Sequence, residues 1–585
     1  MARTFRGFIG LFALFILVGC TGLTADPLTP PVATAVSSPT DPALETAVSP
    51  TAPSTDLPPT NTAPPAVLPT ETAVPPQPDL SIEEKDVFLY PVPNVYAGDR
   101  VTFQVLAHVP DTVDPRSVTV HVLVNYQDVA EGTLSGRNLG GDAVGLFEWA
   151  WDTTGEVGDQ LVHIILDRYD TITEGDENRD NNQVALTVPV LDPQTLPPNE
   201  RNATWVSAET ACCNVYVVSG TAAYRDLPEL LVTVETAVEK AALSIEEELG
   251  RKIDIYLIDR VIGQGGYAGN AIVVSYLDRQ YASRAFAEVL THEAVHIIDR
   301  QFAPERITFL AEGLAVWGTG GHYKIEDLDQ RSAALVALDQ YVPLQQLIDN
   351  FYPIQHEIGY LESAGFINYL IKTYGWPQFK QFYADVTAED APIMSQAVDV
   401  NLQQYFGVTL AQAEANWLTY LAGLPEDRNQ IIDLQTTVRY FNVMRRYQRF
   451  YDPTAYFLTA WLPYPGALQS EGNPADLTRH PQAEINVTLE VMLLASDTAL
   501  RAGDYNRANV LLDSVTRVLD NDGVFIDPLA ASYLNLVRTL AAQGYEAQSV
   551  TLEGDRAIVQ VTGVNTAVLS NLNLVLSGQN WILSN

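Results

Sequence analysis

The sequence predicts a multidomain protein: a β-sandwich, then an α+β domain, then a mainly α-helical extension with a small β-rich tail. Three observations predict this. The 585 residues are too many for one hydrophobic core. Short alternating segments with turn signals fill residues 81–195. Helical and strand patterns mix over 200–425, and helical patterns dominate 426–545 before the strand-rich 546–585.

The charge balance narrows the classes of partner. Asp and Glu number 72 against 33 Lys and Arg, a formal net charge of -39. A nucleic-acid backbone favours a basic surface, so nucleic acid is excluded as an expected partner. With Cys20, Cys212 and Cys213 as the chain's 3 cysteines, a disulfide-stapled scaffold is also excluded.

The first residues are typical of a secretion signal followed by a membrane-attachment site. Arg3 and Arg6 precede an apolar run that is short for a membrane span, and the run ends in Leu17-Val18-Gly19-Cys20. This resembles a bacterial lipobox, which implies a signal peptide at 1–19, lipid on Cys20, and an extracytoplasmic protein held at the cell membrane. An ordinary secretory signal or an uncleaved anchor is the alternative. The Pro/Thr/Ala-rich remainder of 20–80 predicts a disordered stalk.

Residues 81–195 predict the β-sandwich. Strands are expected at 87–90, 101–108, 118–125, 145–151, 161–168 and 183–190. The acidic and amide-rich segment from Glu174, followed by a last strand, resembles the cell-adhesion-related immunoglobulin-like (CARDB) modules of bacterial surface proteins. That resemblance implies a spacer or binding role. Asp176, Asn178, Asp180 and Asn182 alternate as in a calcium loop, but the glycine and final glutamate are missing, which favours a solvated turn.

The chemistry is expected in the α+β domain, on a helix for which Ser283 is a candidate N-cap. It contains Thr291-His292-Glu293-Ala294-Val295-His296, an HExxH motif. A spacing of four places His292 and His296 on one helix face, where two imidazoles can bind one zinc ion. Glu293 lies beside that face and could accept a proton from water. A chance string on a soluble helix is the alternative.

A second predicted helix supports the interpretation of the HExxH motif as a metal site. Phe309-Leu310-Ala311-Glu312-Gly313-Leu314-Ala315 follows the HExxH helix. The pair resembles the gluzincin metallopeptidases, and among them the bacterial peptidase MA-like group. The resemblance implies one Zn²⁺ bound by His292, His296 and Glu312, with Glu293 as general base and acid acting on zinc-activated water. A surface role for Glu312 is the alternative.

Gluzincins often stabilise the reaction's oxyanion with a Tyr or His from a later segment. The candidates here are Tyr360, then His356, then His322. Each could equally be structural. Asp299 could support a ligand histidine, although a surface carboxylate at the helix end is the favoured interpretation.

Substrate binding is expected at the strand before the HExxH helix, because in gluzincins that strand is a sheet edge that holds extended peptide. The resemblance implies contacts to substrate from Gly266, Tyr267, Ala268, Gly269 and Val273. Aminopeptidases of the clan have a glutamate in a Gly-x-Met-Glu-Asn sequence here, whereas this chain has Gly269, which favours an endopeptidase. Cys212 and Cys213 are expected as two buried thiols, with a vicinal disulfide as the alternative.

The sequence thus predicts a membrane-anchored, extracytoplasmic zinc metallopeptidase that acts on peptides or proteins. The alternatives are an inactive surface binding or adhesion lipoprotein with a peptidase-like domain, and a zinc hydrolase acting on a non-peptide amide. In the helical extension, the segment from Leu500 resembles one tetratricopeptide-like hairpin.

Overall fold

A computed structural model describes residues 79–90, 94–110, 112–135, 144–259, 265–282, 285–453, 455–456, 478–563 and 566–584. The chain divides into two units, Met1–Gln77 and Pro78–Asn585, and the described residues belong to the second. The predicted signal peptide, Cys20, the stalk up to residue 78 and Ser283 lie outside the described residues. Within the described part, no helix has the length and apolar character needed to cross a bilayer.

The N-terminal module is a β-sandwich, as predicted. One sheet has the order β1-β3-β6 and the other β2-β8-β7-β4-β5. Valines and leucines on the facing sides form one core. Leu80, which the sequence placed in the stalk, is buried in this core. The strands are β1 Val87–Tyr90, β2 Val95–Tyr96, β3 Arg100–His108, β4 Thr119–Val124, β5 Gln127–Thr133, β6 Val144–Asp152, β7 Gly158–Leu166 and β8 Gln183–Leu191.

The acidic segment before β8 forms a turn, but not a fully solvated one. Asp176 is buried, and its carboxylate accepts two hydrogen bonds from the Asn182 amide, at 3.0 and 2.9 Å. Arg179 lies 3.3 Å away. These side chains satisfy the carboxylate within the protein.

The central module is an α+β domain on a five-stranded sheet of order β12-β13-β11-β10-β9. A long helix, α3, connects the parallel strands β10 and β11 and packs on the sheet. The strands are β9 Trp205–Glu209, β10 Cys213–Val218, β11 Ile253–Ile258, β12 Gly266–Ala268 and β13 Ile272–Ser275. At the start of β10 the structure has a disulfide between Cys212 and Cys213, so the expectation of two thiols is wrong. In the sequence, adjacency alone did not distinguish the two states.

Helices cover this sheet and continue into a compact helical layer. Their buried faces form the largest core of the chain's described part, together with the inward faces of β10, β11 and β13. The helices are α1 Pro198–Arg201, α2 Ala222–Arg225, α3 Leu227–Ser244, α4 Phe286–Ile298, α5 Thr308–Thr319, α6 Leu328–Ala337, α7 Leu344–Asp349, α8 His356–Tyr374, α9 Trp376–Asp385, α10 Met394–Phe406 and α11 Leu410–Ala422.

The C-terminal module combines helices with an antiparallel sheet of order β14-β15-β16-β17. The segment from Leu500 lies at the turn between α13 and α14, which pack as one helical hairpin. Asp427, Asp504 and Asp527 cap the first turns of α12, α14 and α15. The elements are α12 Arg428–Tyr451, α13 Glu484–Arg501, α14 Tyr505–Asp520, α15 Pro528–Ala541, β14 Tyr545–Glu553, β15 Arg556–Gly563, β16 Leu569–Ser577 and β17 Asn580–Leu583.

Buried ion pairs join these modules. Arg479 pairs with Asp99 of the sandwich and, at 2.9 Å, with Glu200 on α1. Next to it, His480 lies 3.8 Å from Glu546 on β14. These contacts connect the sandwich, helix α1 and the C-terminal sheet, and the Arg479–Asp99 pair is buried, where charges are tolerated only with partners. The predicted boundaries between the modules stay predictions.

Candidate metal centre and substrate edge

Helix α4 presents the HExxH motif inside the protein. Every residue from Val289 to Ile298 is buried, because one face of the helix packs on the sheet and the others contact α3 and α5. The rings of His292 and His296 lie edge to face with centroids 4.8 Å apart. The two histidines therefore share a face, as the helical spacing predicts.

Helix α5 brings Glu312 to this face. Its Oε2 lies 3.2 Å from Nε2 of His292 and 3.2 Å from Nε2 of His296. The neighbouring Gly313 permits the approach: a Cβ there would lie 2.1 Å from Oγ of Ser363 on α8. The glycine of the Glu-Gly pair thus lets α5 and α8 pack closely enough to place the glutamate.

The three candidate ligands, His292, His296 and Glu312, fit a tetrahedral metal ion. Their ligand atoms all lie within 4.8 Å of one another. Around Zn²⁺, ligands at about 2.0–2.2 Å in tetrahedral geometry are separated by about 3.3 Å. The measured nitrogen–oxygen distances of 3.2 Å match that edge length. Two imidazoles and one carboxylate also leave a fourth position for a reactant.

The electrostatics favour a charged carboxylate among these groups. Burial alone would raise the pKa of Glu312, but the charge of His296 and hydrogen bonds to both histidines hold it well below its usual range. Burial by itself would lower the pKa of His296, because it disfavours the positive form. The charge and hydrogen bond of the Glu312 carboxylate outweigh this effect and raise the pKa of His296. An anionic oxygen facing two imidazoles is an arrangement that a divalent cation stabilises.

Glu293 lies on the sheet side of the motif. Its side chain is 4% exposed. A Cβ built on Gly266 would lie 3.2 Å from Cγ of Glu293, so this carboxylate passes directly beside strand β12. The sequence predicted both residues as site residues, and the structure brings them together.

The edge of the sheet differs from the predicted one. Strand β13 lies between β12 and β11, and Val273 pairs with Tyr267 on one side and Tyr256 on the other. Val273 is fully buried, so its predicted contact with substrate is wrong. A three-residue strand before β13 forms the true edge, and it is too short to be predicted from alternation.

Strand β12 directs alternate main-chain groups outwards. Ser275 donates to the carbonyl of Gly265, and Gly269 donates to that of Ala271, which fixes the register of the antiparallel pair. By that parity, Gly266 and Ala268 point their N–H and C=O groups away from β13, whereas Tyr267 points its own inwards. Gly269 belongs to the tight turn into β13. Gly266 and the N–H of Ala268 are therefore placed to bind a peptide strand, whereas the carbonyl of Ala268 already accepts a hydrogen bond from Arg300.

The three oxyanion candidates lie together. The ring of Tyr360 is 6.1 Å from that of His292, 4.7 Å from that of His322 and 4.4 Å from that of His356. Of the three, Tyr360 contacts a ligand histidine. His322 is fully buried, and its Nδ1 pairs with Glu357 on α8. This pairing indicates that His322 supports the packing of α8.

A second tyrosine lies at the site and was not predicted. The hydroxyl of Tyr352 donates to Oε1 of Glu312 at 3.3 Å, which is the carboxylate oxygen that does not face the histidines. Burial, and then the charge of Glu312, raise the pKa of Tyr352 well above its ordinary value, so it stays a donor. It precedes α8 in an irregular segment, where no periodicity places a side chain.

Asp299 is not a surface residue. It is fully buried and pairs with Arg306 at 2.7 Å, and Tyr383 donates to it at 2.5 Å. Its carboxylate makes no hydrogen bond to His296 among the described contacts, since Nδ1 of His296 has no partner there. The favoured interpretation as a surface carboxylate is wrong.

Comparisons with known proteins found structures but no sequence family. No protein-family model and no curated protein matches the chain. Native yeast LTA4 hydrolase matches at 15% identity over 80% of this chain and 86% of that one, with a TM-score of 0.29. An M1 zinc metallopeptidase from Deinococcus radiodurans matches at 14% identity over 60% and 96%, with a TM-score of 0.28. A CARDB domain from Pyrococcus furiosus, in complex with di-metal ions, matches at 21% identity over 20% and 90%, with a TM-score of 0.16. Since these TM-scores are below 0.5, the similarities indicate nothing about the chemistry of this chain, which follows from the side-chain geometry described above.

Proposed function

We propose that this chain is a zinc metallopeptidase that hydrolyses peptide bonds within extended polypeptides. One observation supports the proposal most: His292, His296 and Glu312 converge with the spacing of a tetrahedral zinc site, immediately beside Glu293 and the half-buried edge strand of the sheet. A metal site, a buried carboxylate and a peptide-binding edge are the parts that metal-assisted amide hydrolysis requires.

Each residue has a chemical role in this proposal. Zinc, when bound, supplies Lewis-acid activation of water and of the scissile carbonyl. Glu293 accepts the proton of the attacking water and returns it to the leaving nitrogen. The main-chain groups of Gly266 and the N–H of Ala268 hold the peptide by hydrogen bonds. Tyr360 donates a hydrogen bond to the developing oxyanion, and Tyr352 holds the orientation of Glu312.

The edge strand supports internal cleavage. Gly269 supplies no carboxylate to capture the amino terminus of a substrate, and a Cβ on this residue would meet nothing within 4 Å. Space without a negative charge at the end of the strand lets a polypeptide continue past the site. We therefore propose an endopeptidase.

The location is proposed from the sequence alone. Residues 1–20 support a lipoprotein signal with lipid on Cys20, and the stalk would hold the catalytic domain away from the membrane. Mass spectrometry of the mature amino terminus tests this. A diacylglyceryl group on Cys20, lost in Cys20→Ala, is expected; an unmodified amino terminus elsewhere contradicts the anchor.

Two matched variants of the full chain test the chemistry. Glu312→Ala should lose the zinc that the parent protein holds at about one equivalent, measured by elemental mass spectrometry. Glu293→Gln should keep the zinc and lose cleavage of a peptide library by at least about a hundredfold. A folded parent that takes up no zinc, or zinc-loaded Glu293→Gln protein that cleaves like the parent, would refute the proposal and favour a binding protein.

A further inference from the structure

Arg300 lies one turn beyond the second zinc-ligand candidate. Residues Asp299–Gln301 continue α4 as a short 3₁₀ turn, so Arg300 follows His296 at helical spacing. Its guanidinium points to the substrate edge: Nη2 donates to the carbonyl of Ala268 at 2.9 Å, and Nη1 donates to that of Gly269 at 2.7 Å. The side chain thus reaches from the metal helix to the end of strand β12.

The charge of Arg300 has no partner of opposite sign. Among the residues that the structure describes, no carboxylate lies within 4.0 Å of it, although the chain has 72 acidic residues against 33 basic ones. The nearby Arg306 is by contrast paired with Asp299 at 2.7 Å. Burial, and then the positive charge of Arg306, lower the pKa of Arg300, while Asp299 and Glu293 act on it only from a distance. A half-buried cation without a counter-ion is costly unless a ligand supplies one.

The position along the strand places this cation within the substrate's reach. Gly266 lies beside Glu293, and Ala268 is two residues further, about 7 Å along an extended strand. An extended peptide repeats the direction of its side chains at the same spacing. A group two residues from the one beside Gly266 would therefore meet the guanidinium.

We propose that Arg300 forms a specificity subsite for a substrate carboxylate. A guanidinium has five N–H donors, and the two main-chain carbonyls leave the others for a planar anionic group. The carboxylate can belong to an Asp or Glu side chain or to a free carboxyl terminus, and a free amine at this subsite is repelled. The inference rests on the proposed function, because it assigns the substrate class of the same site.

A second arginine, Arg251, allows a purely structural role of Arg300 to be tested. Arg251 donates from Nη2 to the carbonyl of Asn270 at 2.9 Å, so it holds the same turn. Arg251 is exposed and belongs to the segment before β11. If arginines serve here only to hold the turn, removing either one should have the same effect on substrate selection.

Peptide retention tests the subsite without any catalytic turnover. Full-length, zinc-loaded Glu293→Gln protein is immobilised and exposed to a random octapeptide library with acetylated and amidated ends, and retained peptides are read by mass spectrometry. We expect about tenfold enrichment of Asp and Glu at one position. Adding Arg300→Gln should abolish the enrichment, and adding Arg251→Gln should preserve it. Enrichment that Arg300→Gln leaves unchanged overturns the proposal, and so does the absence of acidic enrichment here together with no retention of peptides that have free carboxyl termini.

Further measurements identify which carboxylate binds and control for misfolding of the Arg300→Gln protein. A library with free carboxyl termini should be retained regardless of sequence if the terminal group is the ligand, and amidation should then abolish retention. Arg300→Lys keeps the charge but loses the planar fork, so it should reduce the enrichment even if Arg300→Gln fails to fold; unchanged enrichment in Arg300→Lys contradicts the subsite. Retained peptides that zinc-loaded parent protein does not cleave would refute the peptidase function and leave the recognition standing.

Discussion

Replacing Gly313 with alanine should weaken metal binding although residue 313 touches no metal. A Cβ at this position would lie 2.1 Å from Oγ of Ser363, 2.7 Å from Cδ1 of Ile367 and 2.9 Å from the main-chain carbon of Ser363. Ordinary contacts begin at 3.4 Å. The two side chains can rotate, but the main-chain carbon cannot, so α5 and α8 must separate by about half an ångström.

That separation exceeds what the site tolerates. Glu312 is the adjacent residue on α5, and its Oε2 lies 3.2 Å from both histidine nitrogens. Metal–ligand distances hold within about 0.2 Å. We therefore expect zinc affinity to fall about 10- to 100-fold, as for other changes to the support of a ligand. Overpacking should cost about 1–3 kcal/mol of folding free energy, partly offset by the roughly 1 kcal/mol that alanine gains over glycine in a helix.

Gly359→Ala is the matched control. Gly359 lies in α8 next to Tyr360, as Gly313 lies next to Glu312, but a Cβ there would make ordinary contacts, with Cδ1 of Leu347 at 3.4 Å and two carbons of Ile354 at 3.6 and 3.8 Å. Competition with a chromophoric chelator gives the zinc dissociation constant, and calorimetry gives Tm. Gly359→Ala should leave both unchanged or raise Tm slightly. If Gly313→Ala binds zinc like the parent and melts higher, helix propensity outweighs packing and the reasoning is refuted.

Three further changes test separate contacts. Tyr352→Phe removes the hydrogen bond to Oε1 of Glu312 and should weaken zinc binding about tenfold in the same chelator competition; an unchanged constant contradicts its role. Gly266→Ala places a Cβ 3.0 Å from the main-chain oxygen of Val273 and 3.2 Å from Cγ of Glu293, and should lower kcat about tenfold with zinc content unchanged; an unchanged kcat contradicts the close approach of strand and carboxylate. Burial by itself would lower the pKa of His480, but the hydrogen bond and the charge of Glu546 outweigh burial and raise the pKa above 6.5. Its contribution to stability is complete below pH 6.5 and is lost as pH rises through the raised pKa. His480→Gln should therefore flatten the fall in Tm over that range, and an identical pH profile would exclude the pair as a stabilising contact.

Strands with clear alternation and helices with clear periodicity were predictable. Val87–Tyr90 begins and ends where it was predicted, and the strands predicted at 101–108 and 183–190 are each one residue longer, as Arg100–His108 and Gln183–Leu191. The missed strands were short or had weak alternation. Val95–Tyr96 has two residues, and Gln127–Thr133 is a largely exposed strand at a sheet edge with few apolar residues. Their formation depends on neighbouring strands rather than on their own composition.

The site was predictable where local spacing determines geometry. Four-residue spacing placed His292 and His296, and the same periodicity extended by one turn could have identified Arg300. Tyr352 and the edge strand could not be found this way, because their positions depend on how a loop crosses α5 and on which strand ends the sheet. The inward burial of Asp299 likewise follows from Arg306, whose position in an irregular segment has no sequence signal.

The C-terminal module contacts the part of the chain that precedes the metal helix, although none of its described residues supplies a zinc ligand candidate. Two residues between β13 and α4 are buried against that module: Arg279 pairs with Glu490 and Glu546, and Tyr281 packs against Tyr447. Since a paired, fully buried arginine cannot be exposed without a large cost, Arg279 is held in place by residues more than two hundred positions later in the chain.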